Sequence, residues 1–177
     1  KSDDGMIQQG NFICIWRDRS NVERMVRREP GAGKLSDHSQ EVYGTVNVVE
    51  KCNGKRILIW GYGREGKSTE QFLKRCCRPA SVAIHEGSRS EIRETDYDLI
   101  IKSPGIIMEE DSPKYTSQTE LFLEQYRDQV IGITGTKGKS TTSTMLYTVL
   151  SRCSGREVLL LGNIGQPCLD YFDSITL

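Results

Sequence analysis

A glycine-rich segment with a lysine and several hydroxyl groups is the first candidate for chemistry. The residues Gly-Thr-Lys-Gly-Lys-Ser-Thr occupy positions 135–141, directly after an apolar, β-branched run at 130–134. A glycine turn between a strand and a helix lets successive backbone N–H groups point at one anion, and the helix N-terminus adds partial positive charge. In such a loop Lys139 would reach the β- and γ-phosphates of a nucleotide and Ser140 would hold Mg²⁺. The pattern therefore predicts a phosphate-binding loop.

The spacing of this loop departs from the strict phosphate-loop pattern. G-x-x-x-x-G-K-[ST] requires glycine at position 133, where the sequence has Ile133, and Gly132 stands one residue early. The physical requirements of the loop are nevertheless present. The alternative is a glycine-rich turn between a strand and a helix that binds nothing.

A second glycine motif lies closer to the start of the chain. Gly-Tyr-Gly-Arg-Glu-Gly at 61–66 follows a short apolar run at 56–60 and precedes a helical pattern over 67–77. A further strand at 81–84 ends in His85 and Glu86, which is the order of a Rossmann-like β-α-β unit. In a dinucleotide fold Glu86 would hold a ribose hydroxyl. The alternatives are glycines that serve packing alone and a His85 that is an ordinary surface residue.

Two more strands end in loops that are candidates for ligand contact. The strand at 99–102 ends in Ser-Pro-Gly at 103–105, and the strand at 158–161 ends in Gly-Asn-Ile-Gly at 162–165. Ligands of open α/β sheets bind at the carboxyl edge of the strands. We expect the loop at 162–167 to lie beside the phosphate loop, as the ends of adjacent parallel strands do. An ordinary strand-to-loop turn is the alternative at Ser103.

These elements predict an α/β fold in two parts. A Rossmann-like parallel-sheet domain is expected over 55–128, followed by the truncated start of a P-loop ATPase α/β domain over 129–177. Residues 1–54 read as a poorly defined extension, with a short strand near 11–16 and β-type residues over 42–49. Because the chain starts with Lys1 and stops within an apparent domain, we expect a fragment.

Composition excludes several classes of function. The formal net charge is zero and aromatic residues make up 7% of the chain, so neither a basic field nor a stacking platform argues for nucleic acid. No apolar run approaches a membrane span, and no signal peptide is apparent. The six cysteines form no C-x-x-C pattern, and two histidines build no zinc site. We expect a cytoplasmic monomer with free thiols.

The order of the four loop motifs resembles the Mur ligase family over about residues 55–177. The motifs are the glycine loop at 61–66, Lys-Ser-Pro-Gly-Ile at 102–106, the phosphate loop at 132–141 and Gly-Asn-Ile-Gly-Gln-Pro at 162–167. The resemblance implies an ATP-dependent amide ligase of peptidoglycan precursor synthesis, with ATP and Mg²⁺ as cofactors. Within the family, it favours the member that adds D-glutamate to UDP-MurNAc-L-Ala through an acyl phosphate.

The resemblance also implies roles for individual positions. Lys139 and Ser140 would be the catalytic pair, with Ser140 as Mg²⁺ ligand. The phosphates would be cradled by Gly135, Thr136, Lys137, Gly138, Lys139, Ser140 and Thr141. The UDP-linked substrate would contact Gly63, Arg64, Glu65, His85, Glu86, Ser103, Pro104, Gly105 and Asn163. Two positions depart from the pattern of the family. His-Glu-Gly at 85–87 stands where a family member has Asp-Thr-Arg, and Lys137 stands where Asn is commoner in the family.

Two other functions fit parts of the pattern. Another ATP-dependent Mur or folylpolyglutamate-type ligase would share the phosphate loop. A non-catalytic NAD-binding Rossmann module would use Gly61, Gly63, Gly66 and Glu86 but leaves the Lys139 loop unexplained. The resemblance places further catalytic groups and a C-terminal domain beyond Leu177, so we expect this chain to bind weakly and not to turn over.

Overall fold

The computed structural model describes residues 47–108 and 112–172, together with the backbone of 12–17. The elements are β1 (Phe12–Arg17), α1 (Val48–Cys52), β2 (Arg56–Trp60), α2 (Arg64–Cys76), β3 (Ser81–His85), β4 (Leu99–Lys102), β5 (Tyr115–Ser117), α3 (Gln118–Tyr126), β6 (Val130–Ile133), α4 (Lys139–Cys153) and β7 (Glu157–Gly162). Short 3₁₀ turns lie at Arg89–Glu91, Glu94–Asp96, Arg127–Gln129 and Cys168–Tyr171. The predicted α/β class is confirmed.

The first sheet has four parallel strands in the order β3-β2-β4-β5. Side chains alternate across β2, as the pleat of a strand requires. Ile57 and Ile59 belong to the core beneath helices α2 and α3, whereas Leu58 and Trp60 belong to a smaller cluster on the opposite face. The order of strands and helices is that of the predicted Rossmann-like unit.

Two helices cover the main face of this sheet. Helix α2 buries Phe72 and Leu73 completely, and α3 does the same with Phe122. Helix α3 begins with a capping box, in which the Ser117 hydroxyl accepts from the Glu120 N–H at 3.2 Å and the Glu120 carboxylate accepts from the Ser117 N–H at 2.7 Å. Since full burial of such a side chain contributes roughly 1.5–3 kcal/mol, packing rather than helix propensity fixes these helices.

The second sheet has the order β6-β1-β7, and β1 runs antiparallel to both neighbours. The strand expected near residues 11–16 is therefore confirmed as β1. Phe12 pairs with Ile133 at the end of β6 and with Gly162 at the end of β7. Both carboxyl ends thus lie at one edge, but the expectation of adjacent strands was wrong, because β1 separates β6 from β7.

A second correction concerns the β-type residues expected over 42–49. Val48 and Val49 lie in helix α1, where the Asn47 carboxamide oxygen accepts from the N–H groups of Val49 at 3.1 Å and Glu50 at 3.4 Å. This cap and the complete burial of Val48 and Cys52 outweigh β propensity. Positions 42–46 lie outside the described residues, and the domain boundaries at 54/55 and 128/129 stay predictions.

The two sheets are joined by the turn that follows β7. Leu169 is fully buried and Phe172 nearly so, in the same core cluster as Phe72 of α2 and Phe122 of α3. The Phe72 and Phe172 rings meet edge to face, with centroids 4.6 Å apart. The position of β7 relative to the first sheet is therefore fixed by shared apolar packing.

The cysteines and the lengths of the helices bear on two expectations from the sequence, free thiols and the absence of a membrane span. The described cysteine side chains, at 52, 76, 77, 153 and 168, are all free, as expected. Among the helices in the described part of the chain, none combines the length and apolarity needed to cross a bilayer.

Candidate functional site

The predicted phosphate loop connects β6 to α4 and lies on the surface. Gly138 is the N-cap of α4, with φ +77°, a left-handed conformation that glycine adopts without the penalty of a Cβ. Residues 134–138 are exposed, as are Ser140 and Thr141. The loop therefore presents backbone N–H groups and hydroxyls to solvent at a helix N-terminus.

The charges around this helix N-terminus favour an anion. The first turn of α4 contains no acidic residue, and no side chain caps it. The Lys139 ammonium donates to the carbonyl oxygen of Gly135, which holds the cation across the mouth of the loop. An ammonium, backbone N–H groups without a side-chain cap and the positive end of a 15-residue helix dipole all lie within one turn of chain.

The glycines of the first loop serve two different purposes. A Cβ on Gly66 would lie 2.2 Å from the Gly61 carbonyl oxygen, so this glycine allows α2 to approach the end of β2. A Cβ on Gly63 would meet no atom within 4 Å, so the space beside it is open. Close packing at the third glycine and open approach at the second match the division of roles in a nucleotide-binding β-α turn.

The loop after β4 is tied to this first glycine loop. The Ser103 hydroxyl donates to the Gly61 carbonyl oxygen at 3.1 Å, and Pro104 and Gly105 form the predicted turn. Next to them Lys102 is only 4% exposed, and its ammonium donates to the Ile106 carbonyl oxygen at 3.1 Å. The sequence predicted no role for Lys102, because a lysine at the end of an apolar strand gives no signal beyond its charge.

His85 and Glu86 lie at the end of β3, next to the first glycine loop, whose Gly61 N–H donates to the His85 carbonyl oxygen at 2.8 Å. His85 Nε2 is 3.0 Å from the Ser88 carbonyl oxygen and 3.7 Å from the Glu91 carboxylate, while Glu86 is exposed. The Trp60 indole donates to the Gly87 carbonyl oxygen at 3.0 Å and anchors this loop. The His85 ring lines a polar cavity of about 170 Å³ on the face of the sheet opposite α2 and α3.

Arg64 crosses from the first glycine loop to the loop after β7. Its guanidinium donates to the carbonyl oxygens of Gly162 at 3.3 Å, Asn163 at 3.0 Å and Gly165 at 3.3 Å. The Asn163 side chain itself is exposed. The structure therefore brings Arg64 and Asn163 together at one edge, with the phosphate loop one strand away.

Glu65 and Gln118 lie inside the same junction. Burial raises the pKa of the Glu65 carboxyl, although the neighbouring Arg64 charge opposes the shift. The Gln118 amide donates to Ser68 Oγ at 3.0 Å, and its oxygen accepts from the Cys168 N–H at 3.1 Å. Gln118 is 2% exposed and holds the turn after β7 against α2, a role that the sequence analysis missed.

The residues of the phosphate loop suit the triphosphate of a nucleotide. The hydrogen-bond donors at 135–141 are backbone N–H groups, two lysine ammonium groups and the hydroxyls of Ser and Thr. All of these groups bind phosphate oxygens. Over the described parts of the chain, no group of three or more His, Cys, Asp or Glu residues is arranged to hold a metal ion. A Mg²⁺ ion here would depend on the Ser140 hydroxyl and on the oxygens of the nucleotide.

Curated relatives align with most of this chain. A UDP-N-acetylmuramoylalanine–D-glutamate ligase of Francisella philomiragia is 37% identical over 128 residues, 65% of this chain and 30% of the relative. A UDP-N-acetylmuramoyl-L-alanine–L-glutamate ligase of Xanthomonas axonopodis is 30% identical over 156 residues, 69% of this chain and 33% of the relative. The D-glutamate ligase of Oenococcus oeni is 28% identical over 129 residues, 64% of this chain and 29% of the relative.

These relatives confirm the resemblance that the motif order indicated. The chain spans about a third of the length of the curated relatives it matches. No family model matches the sequence, and no solved structure matches it.

Proposed function

We propose, on the premise that this chain belongs to the Mur ligase family, that its loops bind the two nucleotide substrates of an ATP-dependent glutamate ligase. One substrate is ATP with Mg²⁺, and the other is UDP-N-acetylmuramoyl-L-alanine. The observation that supports the proposal is the loop at 135–141, where Lys139, the exposed hydroxyls and the uncapped helix N-terminus lie close together and would attract an anion. The names of the relatives support glutamate as the amino acid.

The residues of this chain would contribute binding and positioning. The N–H groups at 135–138 and the Lys139 ammonium would hold the β- and γ-phosphates, and the Ser140 hydroxyl would hold Mg²⁺. Bound MgATP would supply the phosphoryl group that activates the substrate carboxylate as an acyl phosphate. Lys139 would neutralise charge near the transferred phosphate, the part that protein groups play in such chemistry.

The UDP-linked substrate would lie along the carboxyl edge of the first sheet. Gly63 leaves open space there, and the Ser103–Gly105 turn and the end of β3 flank it. Asn163 follows β7, at the edge where β6 also ends. With the sugar-linked substrate on one side and ATP on the other, its carboxylate would meet the γ-phosphate near Asn163.

Calorimetric titration of the 177-residue chain tests this proposal. We expect saturable binding of UDP-N-acetylmuramoyl-L-alanine and of a non-hydrolysable MgATP analogue, and none of NADH. Lys139→Ala should weaken the analogue by about ten- to a hundredfold, the loss expected for charge-assisted hydrogen bonds. Arg152→Ala, at the opposite end of α4, is the matched control. Binding of NADH alone would support the Rossmann module instead.

L-glutamate is a second candidate for the added amino acid. Relatives named as L-glutamate ligases match this chain as extensively as those named as D-glutamate ligases. Ligase assays with each stereoisomer, on the protein that carries this sequence, decide between them. Incorporation of D-glutamate alone would support the first candidate, and incorporation of L-glutamate alone would support the second.

A further inference from the structure

Arg64 makes a contact that the proposed function does not explain. It is the first residue of α2, yet its guanidinium reaches three backbone carbonyl oxygens in the loop after β7, at 3.0–3.3 Å. Those partners stand 98 to 101 residues later in the chain. The contact therefore links the two loops that are expected to hold one substrate.

The position of this arginine carries an electrostatic cost. A cation in the first turn of a helix lies at the positive end of the helix dipole, where acidic residues are preferred. The carbonyl groups of Gly162, Asn163 and Gly165 present their negative ends to the guanidinium and offset that cost. The planar fork of arginine can donate to several acceptors at once, whereas a lysine ammonium is a single point.

The loop that Arg64 contacts, Gly162–Gln166, is a short turn at the end of β7. Its own backbone bonds run from the Gly162 N–H to the Gln166 oxygen at 2.9 Å and from the Gln166 N–H to the Leu160 oxygen at 3.4 Å. Asn163 lies within this loop with an exposed side chain. Because Arg64 donates to carbonyl oxygens on both sides of Ile164, it restrains the direction in which Asn163 points.

We infer that Arg64 is a positioning residue: it fixes the Gly162–Gln166 loop from the first glycine loop and thereby orients Asn163 toward the sugar-linked substrate. The part that concerns substrate rests on the proposed function. This role differs from the direct contact with the UDP group that the resemblance implies for Arg64. In the described structure, three of the five N–H donors of the guanidinium are engaged with these carbonyl oxygens, so few are left for a diphosphate.

Hydrogen exchange of the ligand-free chain tests the structural half of the inference. Arg64→Ala should speed exchange of the Gly162 and Gln166 amides by about tenfold, since it removes the loop's side-chain donors. Amides of β2 report whether the fold is intact, and Lys67→Ala, an exposed cation on the same helix, is the control. Guanidinium far below its denaturing range should restore protection in Arg64→Ala. Unchanged exchange, or no rescue, would overturn the inference.

Arg64→Lys covers the case in which Arg64→Ala does not fold. The lysine keeps the charge but loses the fork, so faster exchange confined to the loop at 162–166 is expected. If the amides of this loop exchanged in Arg64→Lys as slowly as in the unchanged chain, the planar guanidinium would not be needed, and this would contradict the inference.

Ligand titration separates positioning from direct contact. In Arg64→Lys, affinity for UDP alone should change less than about twofold, whereas affinity for UDP-N-acetylmuramoyl-L-alanine should fall about tenfold. An equal loss for both ligands would assign Arg64 to the UDP group and overturn the inference. Absence of binding in the unchanged chain would contradict the proposed function alone, because the exchange experiment needs no ligand.

Discussion

Replacement of Gly66 by alanine tests the close approach of α2 to β2. The new Cβ would lie 2.2 Å from the Gly61 carbonyl oxygen and 3.4 Å from Ile59 Cγ2. The oxygen belongs to the backbone, so the helix or the loop must move. Overpacking of this kind costs about 3 kcal/mol at the upper end of its usual range. The higher helix propensity of alanine offsets about 1 kcal/mol of this cost. We expect a net loss of about 2 kcal/mol in the free energy of unfolding.

Gly63→Ala is the matched control within the same motif. Its Cβ would meet no atom within 4 Å, so only the loss of a favourable N-cap, under about 1 kcal/mol, is expected. Urea denaturation followed by circular dichroism measures both variants. Equal stability of Gly66→Ala and the unchanged chain would refute the packing argument. A loss in Gly63→Ala as large as in Gly66→Ala would do so as well.

Three further predictions concern stability. Gln118→Leu should lower the free energy of unfolding by about 2–3 kcal/mol, because the buried Cys168 N–H loses its acceptor; urea denaturation measures it. Cys14→Pro should cost more than about 2 kcal/mol in the same assay, because proline cannot donate a backbone hydrogen bond and β1 pairs on both sides. The Arg56 guanidinium lowers the pKa of Asp98 from 3.8 to about 2. The ionised Asp98 therefore stabilises the fold at pH values above about 4, and this stabilisation is lost as the pH falls to about 2. The stability difference between the unchanged chain and Asp98→Asn should therefore shrink as pH falls from about 4 to about 2, and a constant difference would contradict this sign.

Local patterns predicted most of the elements. The predicted apolar strand at 99–102 is confirmed, because it depends on residues close together in sequence. The capping box at Ser117 and the burial of Leu121, Phe122 and Tyr126 follow equally local patterns. The expected helix at 67–77 is confirmed too, although it begins earlier, at Arg64. Hydrophobic periodicity and capping residues predict such features from a short stretch of sequence, independently of the rest of the chain.

Features that depend on distant residues were not predictable. The insertion of β1 between β6 and β7 pairs Cys14 with Ile131 and with Leu160, more than a hundred residues away. Nothing near Arg64 indicates that its partners are carbonyl oxygens after β7. Helix α4 shows the same limit: Met145 and Val149 follow helical spacing, yet they are 64% and 56% exposed. Spacing identifies a helix but does not say what covers its apolar face.

The central claim is that two separate loops bind two separate nucleotides, and amide NMR titration of the chain tests it most directly. A MgATP analogue should shift the amides of residues 135–141 and leave those of Gly63 and Ser103 in place. UDP-N-acetylmuramoyl-L-alanine should shift the amides of Gly63, Ser103 and Asn163 instead. If both ligands shifted the same amides, or if MgATP left the loop at 135–141 unchanged, the account would be contradicted.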